Sequence, residues 1–375
     1  MAVLDLGHRL RVTEVTDRAA FEALADEWDA LVAATDDQIF YRHEFVRTWI
    51  AHFAPTRPLR VLLARDACGR LAAVLPLVQH RTSSFGVPLT ELRSTANAHS
   101  CRFDLLAADA DLASRVFFAH LAEDRHWDVL RIGEVPEGGR AWSLAAAASA
   151  GGYPVASTSV DSPYVPLRPS WPEQSATLPA KFKANCRRRR RKLEATGGVM
   201  FDGHGDGDEV DACLEEGFEL EARGWKGSSG TAMAQSPSTR GFYSELARVA
   251  RRGGYLRLYF LRVDGRPVAF QYGLCWNGSY LLLKPAYDES LADCSPGQLL
   301  VEDVLKDCIG HGLREFDFLG ADMPWKRDWT EHARQHSTLW IFRNSPVGRG
   351  LAAARFKWMP AARRLVRQWR NARRP

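Results

Sequence analysis

Three consecutive stretches in the second half of the sequence decide the fold: YLLLKPAYD (Tyr280–Asp288), SPGQLLVEDVLKDCIGHG (Ser295–Gly312) and FDFLGADMPWKRDW (Phe316–Trp329). The first is apolar enough for a buried strand, the second has the period of an amphipathic helix, and the third is a short strand that ends in glycine. Strands alternating with helices in this way are typical of α/β proteins, in which polar side chains collect where buried strands end.

The first half of the sequence repeats the same order. Leu59–Leu77 and Leu256–Leu274 each read as two apolar strands that are joined by a turn with glycine, at Gly69 and at Asp264-Gly265. A helical segment and a further strand follow each hairpin, as Leu112–Ala122 with Trp127–Gly133 and as Leu299–Ile309 with Phe316–Gly320. The sequence therefore predicts an α/β (α+β) protein made of duplicated units, with mixed central sheets flanked by helices.

The domain organisation follows from this repeat. A chain of 375 residues is long enough for two domains. The proline-rich segment 162–180 is predicted to be a linker between an N-terminal half, 1–161, and a C-terminal domain, 181–345. Residues 346–375 are predicted to form a basic amphipathic tail.

Composition and charge exclude several classes of protein. The seven cysteines contain no CxxC pair and the histidines are scattered, so the sequence predicts reduced thiols and no metal. The N-terminus lacks the apolar core of a signal peptide, and no apolar run is long enough to span a bilayer, which predicts a cytoplasmic protein. The oligomeric state is not predicted.

The positive charge is concentrated in two segments. Lys181–Lys192 carries eight basic residues and is predicted to be helical, because Phe182, Cys186 and Leu193 recur at helical spacing. Arg343–Arg374 carries ten basic residues and no acidic one. The first segment is either a solvated basic face or a contact for a phosphate-rich partner such as tRNA, a nucleotide-linked sugar or an anionic membrane. The second is either an interfacial membrane helix, with tRNA as a further partner, or a helix packed on the body. A membrane contact would place the protein peripherally at the inner membrane face.

The start of the predicted helix at Ser295, Pro296, Gly297 and Gln298 is a candidate phosphate site, because the first amides of a helix bind anions. Its alternative is a capping box, with Ser295 and Gln298 bonding each other's backbone amides. The equivalent place in the first half reads Ala107-Ala108-Asp109-Ala110-Asp111, whose carboxylates would repel a phosphate. The active site is therefore predicted in the second half, and the first half is predicted to be non-catalytic.

Polar residues at two strand ends are candidates for catalysis. Lys284 and Tyr287 follow the apolar run YLLL, where the lysine could bind an anion and the tyrosine could protonate a leaving group. The alternative is an ordinary strand exit that turns at Pro285 and Asp288. Asp317 lies between two phenylalanines, so either the carboxylate or both rings face the interior.

These motifs resemble the GNAT superfamily, specifically the BioF2-like, CelD-type acetyltransferase domain, which is related to the FemABX peptidyl transferases. Asp317 followed by Gly320, the Lys326–Trp329 segment, and Glu221 followed by Trp225 and Lys226 match the family pattern. The resemblance implies tandem GNAT-like domains and an enzyme that moves an acyl group, acetyl in the first instance, from acyl-CoA to an amine acceptor without a metal.

Site residues are assigned from the motifs together with this resemblance. Asp317, Tyr287 and Lys284 are catalytic candidates, and Ser295–Gln298 binds the acyl-CoA co-substrate. The candidates for binding the acceptor are Glu221, Trp225, Lys226, Lys326 and Trp329. The resemblance leaves two alternatives open, an aminoacyl-tRNA-dependent transferase of Fem type and a non-catalytic protein of polysaccharide assembly. The process served could be polysaccharide, envelope or specialised metabolism.

Overall fold

A computed structural model describes residues 10–223 and 236–361, together with Arg364. The chain divides into two compact units. The first contains Met1–Arg47, Thr56–Ser159 and His336–Pro375, and the second contains Thr48–Pro55 and Val160–Gln335. None of the helices in the described residues is long and apolar enough to cross a membrane.

The strands and helices are labelled in chain order. The strands are β1 (Arg11–Val15), β2 (Leu59–Arg65), β3 (Leu71–Ser84), β4 (Val87–Ser94), β5 (Leu106–Ala107), β6 (Val129–Pro136), β7 (Val155–Pro166), β8 (Val199–His204), β9 (Leu256–Val263), β10 (Arg266–Trp276), β11 (Ser279–Tyr287), β12 (Glu315–Asp317) and β13 (Ala333–Phe342). The α-helices are α1 (Arg18–Glu22), α2 (Ala25–Thr35), α3 (His43–Phe53), α4 (Ala110–Glu123), α5 (Ala141–Ala150), α6 (Trp171–Ala176), α7 (Ala180–Glu194), α8 (Val210–Arg223), α9 (Pro237–Arg252), α10 (Pro296–Gly310), α11 (Pro324–Arg327) and α12 (Pro346–Ala353). Short 3₁₀ segments lie at Ile39–Tyr41 and Glu289–Cys294, and a π-helical turn at Ala354–Trp358 follows α12.

Both units contain a sheet of the same topology. In the first unit the strand order is β1-β2-β3-β4-β6-β13, with β5 beside β3, and in the second it is β8-β9-β10-β11-β12-β7. Each sheet has four antiparallel strands, a fifth that is parallel to the fourth, and a sixth that is antiparallel to the fifth. The predicted duplication, with mixed sheets and flanking helices, is confirmed.

The predicted hairpins form as their turn residues require. Gly69 lies between β2 and β3 with φ of 81°, and Asp264 and Gly265 join β9 to β10 with φ of 47° and 80°. Positive φ at both central residues suits the twist of a two-residue hairpin, and glycine adopts it without steric cost. The predicted helices at Leu112 and Leu299 are confirmed as α4 and α10.

The sixth strand of each sheet begins in the part of the chain that the sequence assigns to the other domain. β7 follows β1–β6 of the first unit along the chain, yet its end pairs with β12 of the second sheet. β13 follows β12, yet it pairs with β6 of the first sheet. The two last strands are therefore exchanged, and the chain crosses between the units within β7 and again within β13.

The proline-rich segment 162–180 contains regular structure where the sequence predicts a linker. Pro163 and Pro166 lie in β7, and Pro172 lies in the first turn of α6, after the cap that Ser170 provides. Prolines are tolerated at helix starts and at strand positions whose amide is not needed by the ladder. These prolines therefore lie in regular elements of the second unit, directly after the chain crosses between the units at Ser159–Val160.

Helices cover both faces of the second sheet, which explains why its central strands are apolar on both sides. On one face, α7 and α10 pack against a cluster that contains Tyr280, Leu282 and Phe316. On the other face, Tyr243 of α9 contacts Tyr272, and Gly217 lets α8 approach Phe270 closely. We call these the α10 face and the α9 face.

Candidate active site

The second sheet opens between β11 and β12. These strands are parallel neighbours only where Ser279–Leu281 face Glu315–Asp317. β11 continues to Tyr287, still paired with β10 on its other side, whereas β12 ends at Asp317. The last six residues of β11 therefore present a strand edge that the β11–β12 ladder does not use. Such an edge accepts an extended chain through main-chain hydrogen bonds.

A β-bulge reverses the orientation of the end of β11. Gly273 is opposite Leu282 and Tyr272 is opposite Lys284, so Leu283 has no opposite residue. Tyr280 and Leu282 belong to the cluster on the α10 face, and simple alternation would direct Lys284 to that face as well. With the extra residue, the Lys284 ammonium lies instead over the Tyr243 ring on the α9 face, at 5.6 Å from its centroid.

The start of α10 lies beside the end of β11. Ser295 precedes the helix with φ of 47°, a conformation that is uncommon for residues other than glycine. A β-carbon added at Gly297 would be 3.4 Å from the Tyr287 ring, so these two predicted site residues are neighbours. The backbone amides of Gln298 and Leu299 turn back to the Ser295 carbonyl.

The capping box that the sequence left open does not form. The Ser295 hydroxyl donates to the Ala292 carbonyl at 3.2 Å and makes no cap bond to the helix. The Gln298 side chain donates to the Trp325 carbonyl at 3.3 Å and accepts from the Trp329 indole. Gln298 therefore ties the helix start to the segment that contains α11.

Asp317 is fully buried, but it is not enclosed by its two phenylalanine neighbours. Phe316 and Phe318 belong to the cluster on the α10 face, so the side chain between them projects to the opposite face. Its Oδ1 atom accepts the Leu319 amide at 2.8 Å, and the Arg334 guanidinium is 3.9 Å from Oδ2. Both rings lie in the core, as in one of the two orientations considered from sequence, but the Asp317 carboxylate is buried on the opposite face instead of facing out.

The turn after Asp317 is held from both sides. Leu319 and Gly320 have φ of 50° and 57°, which a leucine rarely adopts. The buried Lys326 ammonium donates to the Leu319 carbonyl at 2.6 Å and to the Ala321 carbonyl at 2.7 Å. Lys326, a predicted acceptor-binding residue, therefore fixes the turn that begins at Asp317. Backbone strain of this kind persists where the surrounding structure imposes it, often at functional sites.

Sequence reasoning missed Arg334. Its guanidinium lies 3.9 Å from the Tyr164 ring centroid, pairs with Glu315 at 2.6 Å and approaches Asp317. The side chain comes from β13, in a stretch with no motif, and it meets Asp317 through strand pairings of high sequence separation. Nothing in the sequence indicates this contact.

The remaining predicted site residues lie on α8 and beyond. Glu221 is buried in α8, the helix that packs on β9, β10 and β11 from the α9 face. Trp225 and Lys226 lie outside the described residues. Within the described part of the chain, no group of His, Cys, Asp and Glu side chains is placed to hold a metal ion.

The predicted site residues thus separate into two groups. Tyr287 and Ser295–Gln298, with Trp329, lie around the start of α10. Lys284 and Asp317 are directed to the α9 face, where α8 carries Glu221. The opening between β11 and β12 lies between the two groups.

The family comparison agrees with this geometry. Residues 180–327 match the model of the acetyltransferase (GNAT) domain. They include α7, the opening, the start of α10 and the turn held by Lys326. The second unit is a GNAT-type acyltransferase domain. None of the curated proteins compared with the sequence matches it.

Solved structures match over nearly the whole chain and share the fold of both units. FemX matches with a TM-score of 0.58 and 10% identity, over 91% of this chain and 100% of that one. A conserved protein of unknown function from Bacteroides thetaiotaomicron matches with a TM-score of 0.56 and 13% identity, over 89% of this chain and 100% of that one. The C-terminal domain of a putative lysylphosphatidylglycerol synthetase from Agrobacterium fabrum matches with a TM-score of 0.53 and 12% identity, over 89% of this chain and 96% of that one. The predicted GNAT-superfamily, FemABX-related fold is confirmed.

In the first unit, acidic side chains lie at the start of α4, the helix that corresponds to α10. Asp109 caps α4, and its carboxylate accepts the Leu112 amide at 2.9 Å. Asp111 adds a second acidic side chain in the first turn. The positive end of α4 is therefore already occupied by the protein's own charge, as the sequence predicts.

The predicted basic helix is confirmed as α7 of the GNAT domain. Phe182, Cys186 and Leu193 are buried, and burial raises the pKa of the Cys186 thiol to about 11. Arg190 is directed inward, where one Nη atom lies 2.8 Å from both carboxylate oxygens of Asp303 in α10. The exposed basic side chains of this segment are Lys181, Arg187, Arg188, Arg191 and Lys192.

Replacing Arg190 by glutamine should lower the free energy of unfolding by about 1–2 kcal/mol, because it leaves the largely buried Asp303 carboxylate without its main partner. The matched control is Arg187→Gln, which removes an exposed charge from the same helix. It should change the free energy of unfolding by less than about 0.5 kcal/mol. Urea denaturation of both variants measures the difference. Equal stabilities would mean that the Arg190–Asp303 pair does not hold α7 to α10.

Proposed function

We propose that the second unit transfers an acyl group, acetyl in the first instance, from acyl-CoA to the amino group of a small molecule or a sugar. The opening between β11 and β12, directly beside the start of α10, is the observation that carries this proposal. A thioester donor needs an extended slot for its amide-containing arm and an anion site for its diphosphate, and the opening lies next to a helix start that could serve as the latter.

The donor would enter from the α10 face. Its arm would pair with the edge of β11 between Leu282 and Tyr287, and its diphosphate would lie at Ser295–Gln298. Pro296 has no amide, so the amide of Gly297 is the first of the helix that could face the phosphates. Backbone amides near the bulge, before Pro285, would polarise the thioester carbonyl and stabilise the oxyanion.

The acceptor would approach from the α9 face, on which Lys284 and Asp317 project. Its nitrogen attacks the thioester carbon, the carbon–sulfur bond breaks, and the nitrogen loses a proton to solvent. Tyr287 would return a proton to the leaving thiolate. Lys284 and Glu221 would bind the acceptor's charged groups, together with Trp225 and Lys226. Lys326 would maintain this wall by holding the turn after Asp317, whereas Trp329 would act from the start of α10, where its indole donates to Gln298.

The role of Asp317 is constrained by its surroundings. Its carboxylate is fully buried, accepts the Leu319 amide and lies near Arg334. This burial favours a role in positioning the acceptor amine, through the Leu319–Gly320 turn, over direct removal of its proton. Both roles require the carboxylate and therefore predict a loss of turnover when the charge is removed.

A second candidate donor is an aminoacyl-tRNA, which the resemblance to Fem-type enzymes suggests. The observation that favours it is the exposed basic side of α7, with Arg187, Arg188 and Arg191. A polyanion could bind there without using the start of α10. The process served, whether polysaccharide, envelope or specialised metabolism, depends on the acceptor.

Calorimetric titration with acetyl-CoA, with an uncharged and an aminoacylated tRNA in parallel, tests the proposal. We expect acetyl-CoA to bind and tRNA to bind weakly. Mass spectrometry of ligands that co-purify with the protein gives an independent reading. Tight binding of aminoacyl-tRNA without binding of any CoA ester would reject the acyl-CoA donor and favour the second candidate.

Replacing Arg187, Arg188 and Arg191 together by glutamine distinguishes the two donors. If α7 contacts a polyanion, tRNA affinity should fall and the log–log slope against salt should decrease by roughly 0.7–0.9 per lost contact. Glutamine preserves helix propensity, and Arg190 is left in place to hold α10. Identical salt series for the variant and the unmodified protein would mean that this face of α7 is only solvated.

A further inference from the structure

The first unit contains a cavity of about 130 Å³ that the proposed reaction does not use. It lies among the β3–β4 hairpin, β6, β13 and the helical segment that follows β13. One part of its wall is apolar, from the cluster that contains Leu89, Trp340 and Leu351. The other part is basic, from Arg93, Arg131 and Arg355.

The positive charge of this wall exceeds its negative charge. Arg93 pairs with Glu91, the acidic residue of the lining. Arg131 and Arg355 lie over the Trp340 ring, with guanidinium carbons 4.7 and 3.9 Å from its centroid. Burial lowers the pKa of Arg131, and the charges of Arg93 and Arg355 lower it further, while Glu91 opposes them. The wall therefore holds two arginines in excess over its one carboxylate.

A buried hydrogen-bond donor lies in the same wall. Trp340 is 7% exposed, and within the described residues its indole nitrogen has no acceptor. Buried donors in folded proteins nearly always have a partner. A donor without one, beside two arginines, indicates a place for an anionic group with acceptor oxygens, and a phosphate has both the charge and the oxygens.

Exposed apolar side chains lie close in sequence to the residues that line the cavity. Ser83 and Ser84 belong to the lining, and Phe85 and Val87 come next at the tip of the same hairpin, 56% and 38% exposed. Trp358 lies about one helical turn beyond Arg355 and is 64% exposed. The basic lining of the cavity is thus close in sequence to side chains that would enter the interfacial region of a bilayer.

We infer that this face of the first unit docks on a membrane by binding the phosphate of an anionic phospholipid in the cavity. The arginines and the Trp340 indole contact the phosphate, the apolar wall contacts the glycerol region, and Phe85 and Trp358 enter the interface. The excess positive charge selects an anionic lipid. Exposed aromatic side chains beside the site favour a lipid over a phosphate free in solution. The inference is independent of the acyl donor.

Co-sedimentation of the full chain with vesicles tests the inference. We expect binding to phosphatidylcholine vesicles that contain phosphatidylglycerol, and little binding to phosphatidylcholine alone. Arg131→Gln should weaken binding about tenfold, since it removes both a charge and a phosphate contact. Trp340→Phe retains the ring but removes the donor, and should weaken binding severalfold. Phe85→Ser should also reduce it severalfold.

The control is Arg349→Gln on α12, which removes an arginine that bonds Asn344 and is not part of the cavity lining. Equal vesicle binding by Arg131→Gln, Trp340→Phe and Arg349→Gln would overturn the inference. So would calorimetric binding of inorganic phosphate that depends on Arg131 without any vesicle binding, because the cavity would then serve a soluble phosphate. Thermal melting of each variant identifies a loss caused by unfolding, and Trp340→Phe remains informative if Arg131→Gln is unstable.

Discussion

Replacing Gly297 by aspartate is expected to abolish acetyl-CoA binding, with a loss of at least about 100-fold, while the protein stays folded. The new carboxylate would lie in the first turn of α10, where it would engage the helix amides and repel a diphosphate. Because acidic side chains stabilise helix starts, the melting temperature should be unchanged or slightly higher. The variant places a carboxylate at the second position of α10, the position that Asp111 occupies in α4.

Gly297→Ala is the matched control. A β-carbon at this position would make an ordinary contact of 3.4 Å with the Tyr287 ring, so alanine fits without displacing the strand. Calorimetry should give similar acetyl-CoA affinities for this variant and the unmodified protein. Equal affinities for the alanine and aspartate variants would show that the diphosphate lies elsewhere.

Asp317→Asn is expected to lower turnover by about 10²–10⁴ with little change in donor affinity. Asparagine has nearly the same shape, and its amide oxygen can still accept the Leu319 amide, so the turn should persist. What is lost is the negative charge beside Arg334. Steady-state kinetics with an identified amine acceptor, together with acetyl-CoA calorimetry, measures the two effects separately.

Asp322→Asn provides the comparison within the same segment. Asp322 is more exposed and bonds Arg327, so its replacement should leave turnover near normal. Near-normal turnover in Asp317→Asn as well would reduce that residue to a structural part of the strand end. Lower turnover together with a much lower melting temperature would assign the effect to the turn rather than to the reaction.

Much of the fold can be predicted because it depends on local patterns. The hairpins at Gly69 and Asp264-Gly265, the helices α4, α7 and α10 and the duplication all follow from periodicity and turn residues. The exchange of β7 and β13 cannot be predicted in this way. Strand pairing between residues far apart in the chain leaves no mark on either strand, and prolines inside β7 resemble those of a linker.

The sequence names candidate site residues, but it does not predict their geometry. Lys284 is recognisable from its place after an apolar strand, but the bulge at Leu283 decides which face it reaches. Gly273 lies on the opposite strand at the register shift, and a glycine inside a strand is a signal that could have indicated this bulge. Gln298 can be read as a capping residue, whereas the tertiary contact with Trp329 determines its actual partner.

The exchange of the two last strands has a consequence for how the protein is made. The first sheet has its sixth strand, β13, only after synthesis has passed residue 342, roughly 200 residues after β6 has left the ribosome. At about 5–20 residues per second, the β6 edge stays open for roughly 10–40 s, long enough to pair with another chain. Slow translation, or a gene fragment that ends before β13, should therefore favour aggregation of the nascent first unit.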